Sequence, residues 1–144
     1  EAYLSVPEKE AGYPASRMFG NSLPAYGLYV RHVKNLTLSD IIFNLNAPDS
    51  RPAVILDDCH HIRMNNIDAD LPNEKQPVLR VINSSNVTFT GYASSVAVPL
   101  LLRVEGEKSS GIKLMGNNLS SVKQVAEFVN GAAASSVRET GNLR

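Results

Sequence analysis

A repeat of about 25 residues restricts the possible folds of this chain more than any other feature of its sequence. Four similar segments begin at Tyr26, Pro52, Pro77 and Leu100. When they are aligned, one apolar column has spacings of 26, 25 and 25 residues, and it consists of Leu36, Ile62, Val87 and Ile112. A repeat of this kind indicates a solenoid, in which each coil buries too little surface alone and is stabilised by its neighbours.

Alternation of apolar and polar residues indicates β-strands within each repeat. Three more aligned columns are apolar, namely Leu28, Val54, Leu79 and Leu102; Val30, Leu56, Val81 and Val104; and Leu38, Met64, Phe89 and Leu114. Residues between these columns are expected to point outward. The sequence therefore predicts an all-β parallel β-helix of about four coils, stacked about 4.8 Å apart.

The leucine-rich repeat is the competing solenoid, because Leu36, Leu38 and Ile41 have part of its spacing. The columns, however, mix Leu, Ile, Val, Phe and Met, and no helical period separates the strands. These two observations favour the parallel β-helix.

Composition divides the chain into three parts. Residues 1–25 contain three prolines and two glycines, which predicts an irregular segment packed on the first coil. Residues 26–130 are expected to form the coils. Residues 131–144 are mostly small and polar, which predicts a frayed tail. Strands of the first coil that stay uncovered are expected to favour self-association through exposed coil edges.

The charge balance and the rarity of cysteine limit the possible partners. Fourteen basic and fourteen acidic residues give a formal net charge of zero, so neither nucleic acid nor an anionic membrane is expected as a partner. No apolar run is long enough to cross a membrane. A single cysteine excludes an internal disulfide. No cofactor is expected.

The segment Asp57–His61 contains two carboxylates, a thiol and two imidazoles. In the repeat alignment the two aspartates follow the first strand of their coil, where the chain must turn, and aspartate suits such turns. Cys59 aligns with Val33, which predicts a small buried corner residue. No further column supplies metal ligands, so no metal site is expected. A solvated turn is the favoured interpretation, and acid–base chemistry by Asp57 and Asp58 with a nearby histidine is the weaker one.

One outward-facing column combines an aromatic ring with cations. Tyr29, Arg80 and Arg103 align between apolar columns, so they are predicted to lie on the outer face of one sheet. They could bind a sugar or an acid there, or they could simply cover a solvated β-surface with their long stems.

Several short stretches resemble the late coils of bacterial glycoside hydrolase family 28, the polygalacturonase-like enzymes. The resemblance covers roughly residues 8–130. Its most specific parts are Tyr13-Pro14, Met18-Phe19-Gly20, Leu23-Pro24-Ala25-Tyr26-Gly27, Arg31-His32-Val33 and Arg51-Pro52-Ala53. The resemblance implies a right-handed parallel β-helix, a secreted or periplasmic location, and a parent enzyme that cleaves pectic polysaccharides or oligogalacturonides with inversion.

The catalytic motifs of that family are missing from this chain. The inverting mechanism needs two carboxyl groups roughly 6.5–9.5 Å apart, and the family supplies them from an Asn-Thr-Asp motif and an Asp-Asp pair. Neither Asn-Thr-Asp nor Gly-His-Gly occurs, and Gly111 stands where Arg-Ile-Lys would need its arginine. Leu56-Asp57-Asp58-Cys59 imitates the Asp-Asp pair, but it follows stretches that belong downstream of the active site. No catalytic residue is therefore assigned, and the catalytic set is expected upstream of Glu1.

The resemblance predicts a catalytically silent C-terminal β-helix part of a pectin-degrading hydrolase, in which residues 13–32 border the far end of the substrate groove. The candidate substrate-binding residues are Tyr26, Tyr29, Arg31, His32, Arg80 and Arg103. A separate carbohydrate-binding or protein-binding solenoid module is the alternative.

Overall fold

The computed structural model describes residues 6–12, 20, 22–73 and 75–144. These residues form an all-β solenoid with ten strands and one turn of 3-10 helix at Ala134–Ser136. In chain order the strands are β1 Leu28–Arg31, β2 Lys34–Phe43, β3 Val54–Asp57, β4 His60–Ala69, β5 Leu79–Ile82, β6 Ser85–Thr90, β7 Val98–Glu105, β8 Ser110–Met115, β9 Val122–Val129 and β10 Val137–Thr140. No α-helix occurs among them, so the described coils lack the helical side of a helix-containing leucine-rich repeat.

Odd-numbered and even-numbered strands form separate five-stranded sheets, and every pairing is parallel. We call the sheet β1-β3-β5-β7-β9 sheet A, and the sheet β2-β4-β6-β8-β10 sheet B. The register follows the apolar columns, since Leu36 pairs with Ile62, Ile62 with Val87, and Val87 with Ile112. The predicted β-solenoid is therefore confirmed, with four repeats and a fifth coil formed by β9 and β10.

Left-handed residues mark the bends of the coil. They form three columns: His32, Asp58, Asn83 and Gly106; Asn35, His61, Asn86 and Gly111; and Asp40, Asn66, Gly91, Gly116 and Gly141. Their φ angles lie between 44° and 89°. Most L-residues avoid this region, whereas Gly, Asn, Asp and His tolerate it best. The predicted role of Asp58 as a corner residue is confirmed.

The apolar columns fill the interior between the sheets. Ile62, Val87 and Leu114 are at most 1% exposed, and Cys59 is fully buried at its corner. Sheet A is also buried on much of its outer face, where Ile55 is inaccessible to solvent. Sheet A is therefore buried on both faces over much of its length, whereas β4, β6 and β8 of sheet B alternate between buried and more exposed side chains.

The expectation of a frayed tail from residue 131 is wrong. Strand β10 pairs with β8, and the Asn142 side chain donates a hydrogen bond to the carbonyl oxygen of Leu114 at 2.8 Å. The sequence is polar here because β10 is an edge strand with most of its side chains exposed. Main-chain pairing, rather than apolar burial, holds the segment in place.

Part of the N-terminal segment predicted at 1–25 lies outside the described residues, namely 1–5, 13–19 and 21. Residues 6–12 carry no strand, and they reach the first coil through Arg31. The guanidinium of Arg31 donates a hydrogen bond to the carbonyl oxygen of Val6 at 2.8 Å and pairs with the carboxylate of Glu8 at 3.0 Å.

The two ends of the solenoid have different chemistry. At the first coil the interior columns begin with Leu36, Leu38, Ile41 and Phe43, all half-buried. At the last coil the column of Leu114 ends in Glu139, and the position opposite Leu100 is Gln124. Both of these polar side chains are exposed. The last end is therefore only partly polar, since Val122, Ala126, Phe128 and Val137 are half-buried against the core beside these two polar positions.

Candidate functional site

A group of polar and charged side chains lies where sheet A turns into sheet B in the first three coils. We call it the corner cluster, and it consists of Glu8, Tyr29, Arg31, His32, Asp57, Asp58, His60 and Ser85. Parallel pairing brings these side chains together, since Arg31 pairs with Asp57 and His60 pairs with Ser85. Residues about 25 positions apart in sequence thus become neighbours on adjacent coils.

Asp57 contacts Tyr29 and Arg31 in one half of the corner cluster. Its Oδ2 atom accepts hydrogen bonds from the Tyr29 hydroxyl at 2.7 Å and from Arg31 Nε at 2.8 Å. The guanidinium carbon of Arg31 lies 5.5 Å from the centroid of the Tyr29 ring, within the range of a cation–π contact. Burial first, and then the hydrogen bond to Asp57, raises the pKa of Tyr29. Tyr29 is therefore a hydrogen-bond donor at neutral pH and not a base.

Asp58 contacts two histidines in the other half of the corner cluster. His32 Nδ1 lies 2.7 Å from Asp58 Oδ2, and His60 Nε2 lies 2.9 Å from Asp58 Oδ1. The other ring nitrogen of His32 is 3.1 Å from Glu8 Oε1. The left-handed conformation of Asp58 turns its side chain out of the coil, so it can reach both rings.

These contacts change the protonation of the cluster. Hydrogen bonds from His60 and His32 hold the pKa of Asp58 below its ordinary value. Hydrogen bonds to Asp58 and Glu8 raise the pKa of His32 above its ordinary value. Asp58 is consequently ionised at neutral pH, and His32 retains its proton to higher pH than a free histidine.

Ser85, His60 and Asp58 form a line of three side chains joined by hydrogen bonds. The hydroxyl oxygen of Ser85 lies 2.7 Å from His60 Nδ1, the ring nitrogen that does not face Asp58. An ionised carboxylate can only accept, so a neutral His60 must place its proton on Nε2. Nδ1 is then the acceptor for the hydroxyl proton of Ser85.

An open cavity of about 540 Å³ lies over this line. It is bordered by His32, Lys34, Asp58, His60, His61 and Ser85. All three histidines of the protein therefore lie at one site. Sequence analysis missed the contributions of Lys34 and Ser85, although the repeat spacing of 26 and 25 residues places Lys34, His60 and Ser85 in one column.

The candidate substrate-binding residues are divided between different surroundings. Tyr29, Arg31 and His32 meet in the corner cluster. Tyr26 lies apart from them, with its hydroxyl donating to the carbonyl oxygen of Asp70 at 2.5 Å.

The predicted exposed strip of Arg80 and Arg103 is not present. These side chains are only 6% and 10% exposed, because each is paired with a carboxylate on the next coil. Arg80 Nε donates to Glu105 Oε2 at 2.6 Å, and Arg103 Nε donates to Glu127 Oε1. The sequence suggested solvent because both residues face away from the apolar interior, but sheet A is covered on that side as well.

Other kinds of site receive no support from the described part of the chain. No three of its His, Cys, Asp and Glu side chains are grouped in a way that could hold a metal ion. Burial raises the pKa of the Cys59 thiol, which disfavours the reactive thiolate. The same residues include no helix long and apolar enough to cross a membrane.

Comparison of the chain with protein families, with curated proteins and with solved structures finds no match. The geometry of the corner cluster and of the solenoid ends therefore carries the functional argument.

Proposed function

We propose that this solenoid is the C-terminal β-helix part of a polygalacturonase-like glycoside hydrolase, without the catalytic aspartates of that enzyme. The observation that carries the proposal is the chemical difference between the two ends. In sheet B, half-buried Leu36, Leu38 and Phe43 begin apolar columns at the first coil. At the last coil the column of Leu38 ends in exposed Glu139, and in sheet A exposed Gln124 lies opposite Leu100, whereas the column of Leu36 ends in half-buried Val137.

An apolar column at an open solenoid end is suited to contact another coil. In the part of the chain that the structure describes, β1 and β2 each have one edge that no other strand pairs with, and unpaired edges tend to recruit further strands. Preceding coils of the same β-helix would satisfy both the edges and the apolar side chains. In the role proposed here, the described coils close the C-terminal end and keep it from aggregating.

The corner cluster supports a second part of the proposal, which is contact with an acidic sugar. His32, Lys34 and His61 border the cavity, and Arg31 lies next to His32. The ammonium group of Lys34 can attract the carboxylate of a galacturonate unit, and the His61 ring can donate a hydrogen bond to it. Tyr29 offers a ring and a hydroxyl on the same side. The partner proposed is therefore a pectic polysaccharide or oligogalacturonide outside the cell or in the periplasm, where such polymers occur.

The decisive experiment measures release of reducing ends from polygalacturonate. It compares this 144-residue chain with the same reading frame extended upstream by several coils. The proposal predicts activity in the extended form alone. Activity of the short chain would contradict it, because the short chain would then contain a catalytic pair of its own.

A separate carbohydrate-binding module is the second candidate, and the histidine-lined cavity is the observation that favours it. Titration of the short chain with oligogalacturonides distinguishes the two candidates. Binding by the short chain, together with inactivity of the extended form, would favour the module. Lys34→Ala together with His61→Ala should weaken that binding, while Lys123→Ala, on β9 at the far end of the solenoid, should leave it unchanged.

A further inference from the structure

We propose that Asp58, His60 and Ser85 form a serine-type catalytic triad that hydrolyses esters with small acyl groups. This activity goes beyond the proposed function and does not depend on it. Ser–His–Asp triads recur on unrelated folds and are recognised by geometry and by the role of each group. Asp58 and His60 lie on one coil and Ser85 lies on the next, so the pairing of adjacent coils brings the three side chains together.

The distances between the three side chains suit the roles of nucleophile, base and orienting carboxylate. A nucleophile and its base are expected within about 2.6–3.2 Å, with the base oriented by a third group. Ser85 Oγ lies 2.7 Å from His60 Nδ1, and His60 Nε2 lies 2.9 Å from Asp58 Oδ1. Both contacts are already formed in the free protein.

The backbone holds the line in place. His60 and Ser85 are the first residues of β4 and β6, and they pair directly in sheet B. The amide of Ser85 donates to the carbonyl oxygen of Cys59 at 3.0 Å, and Cys59 is fully buried. Main-chain pairing within sheet B thus holds Ser85 beside His60.

The surroundings indicate the class of substrate. The His60 side chain is 28% exposed and the Asp58 side chain 50%, so a substrate reaches the line from solvent. The cavity has more polar than apolar lining, which suits a short acyl group such as acetyl on a polar alcohol. Lys34 borders the same cavity and supplies positive charge for a developing oxyanion, and the His61 ring beside it can donate a hydrogen bond.

The reaction balances without any further reagent except water. Ser85 Oγ attacks the carbonyl carbon of the ester while its proton passes to His60 Nδ1. The tetrahedral oxyanion collapses, the bond to the alcohol oxygen breaks, and His60 returns the proton to the departing alcohol. Water then attacks the acyl-Ser85 carbonyl while its proton passes to His60 Nδ1. The second tetrahedral oxyanion collapses, the bond from the acyl carbon to Ser85 Oγ breaks, and His60 returns the proton to Ser85 Oγ, so the carboxylic acid leaves and Ser85 and His60 are regenerated.

A fluorophosphonate probe tests the nucleophile directly, because the serine oxygen displaces fluoride and remains bonded to phosphorus. The purified 144-residue chain is incubated with the probe and digested, and the labelled peptide is identified by mass spectrometry. We expect label on Ser85, at least tenfold less label in His60→Ala, and partial recovery in that variant with added imidazole. In parallel, p-nitrophenyl acetate hydrolysis should fall at least tenfold in Ser85→Ala.

Ser110→Ala is the matched control, because Ser110 pairs with Ser85 on the side away from His60. It should retain label and turnover. Absence of label on Ser85, or equal labelling in His60→Ala, would overturn the proposal. Unchanged ester turnover in Ser85→Ala would do the same, since the activity would then come from surface imidazoles. A circular dichroism spectrum of each variant confirms that the comparison is between folded chains.

Discussion

The first and last coils of this solenoid end the apolar core with different side chains. Among the described residues, both coils have one unpaired strand edge in each sheet, and both terminate the same apolar columns. The first coil ends them with half-buried apolar residues such as Leu38 and Phe43, whereas the last coil ends one with half-buried Val137 and another with exposed Glu139. A solenoid end must be capped to remain soluble, so Glu139 is a partial cap of a kind that the described residues of the first coil lack in that column.

The polar residues of the first and last coils also make different kinds of contact. The corner cluster lies in the first three coils and involves Glu8 of the N-terminal segment. The polar residues of the last coil form contacts with one another, such as that of Glu139 with Arg144.

The largest expected effect compares two leucines of one column. Leu114 is fully buried next to the last coil, whereas Leu38 is half-buried at the first coil. Leu114→Ala should reduce the free energy of unfolding by about 2–5 kcal/mol, since it leaves a cavity, and Leu38→Ala should cost less than half of that. Urea unfolding of both variants measures the difference. Equal losses would show that another part of the chain covers Leu38.

The second-largest expected effect is a change in the self-association of the chain. Leu38→Glu gives the first coil the charge found at the last coil, so any concentration-dependent dimer of this chain should dissociate. Glu139→Leu has the opposite effect, because it continues the column of Leu114 to the surface. Sedimentation velocity over a hundredfold range of concentration measures both. If Glu139→Leu stays monomeric, the unpaired main chain rather than the side chain controls contact at that end.

The smallest effect is the pH dependence of the corner cluster. Because the pKa of His32 is raised, its contribution to stability is complete below its ordinary value of 6.5 and is lost as pH rises through its higher folded-state pKa. Because the pKa of Asp58 is lowered, its contribution is present above its ordinary value of 3.8 and is lost as pH falls through its lower folded-state pKa. The pair is therefore fully effective between about pH 3.8 and 6.5.

Titration of His32 by NMR tests this directly. The pKa of His32 should fall towards 6.5 in Asp58→Asn and fall by less in Glu8→Gln, since Asp58 provides the shorter contact. An unchanged pKa in Asp58→Asn would mean that the hydrogen bond between these two side chains does not persist in solution.

The sequence predicted the coils because apolar columns and corner residues repeat with the same spacing. Asp58 and Cys59 were placed correctly for that reason. The last partial coil was predicted as far as β9, but β10 was missed because polar Glu139 stands in the apolar column of Leu114. The burial of Arg80 and Arg103 was missed because it depends on Glu105 and Glu127, whose pairing with them follows only from the register. The binding role suggested for Tyr29, Arg31 and His32 stays a prediction.

The buried ion pair of Arg80 and Glu105 has a consequence for how the chain finds its alignment. Every coil resembles the next, so a displacement of one whole repeat would still match apolar residues with apolar residues and bends with bends. It would not match Arg80 with Glu105, and it would leave a charge without its partner in a place that excludes water. Loss of one partner from a buried pair costs about 3–5 kcal/mol. We expect this pair to distinguish the native alignment from displaced ones, a task that the repeated columns cannot perform.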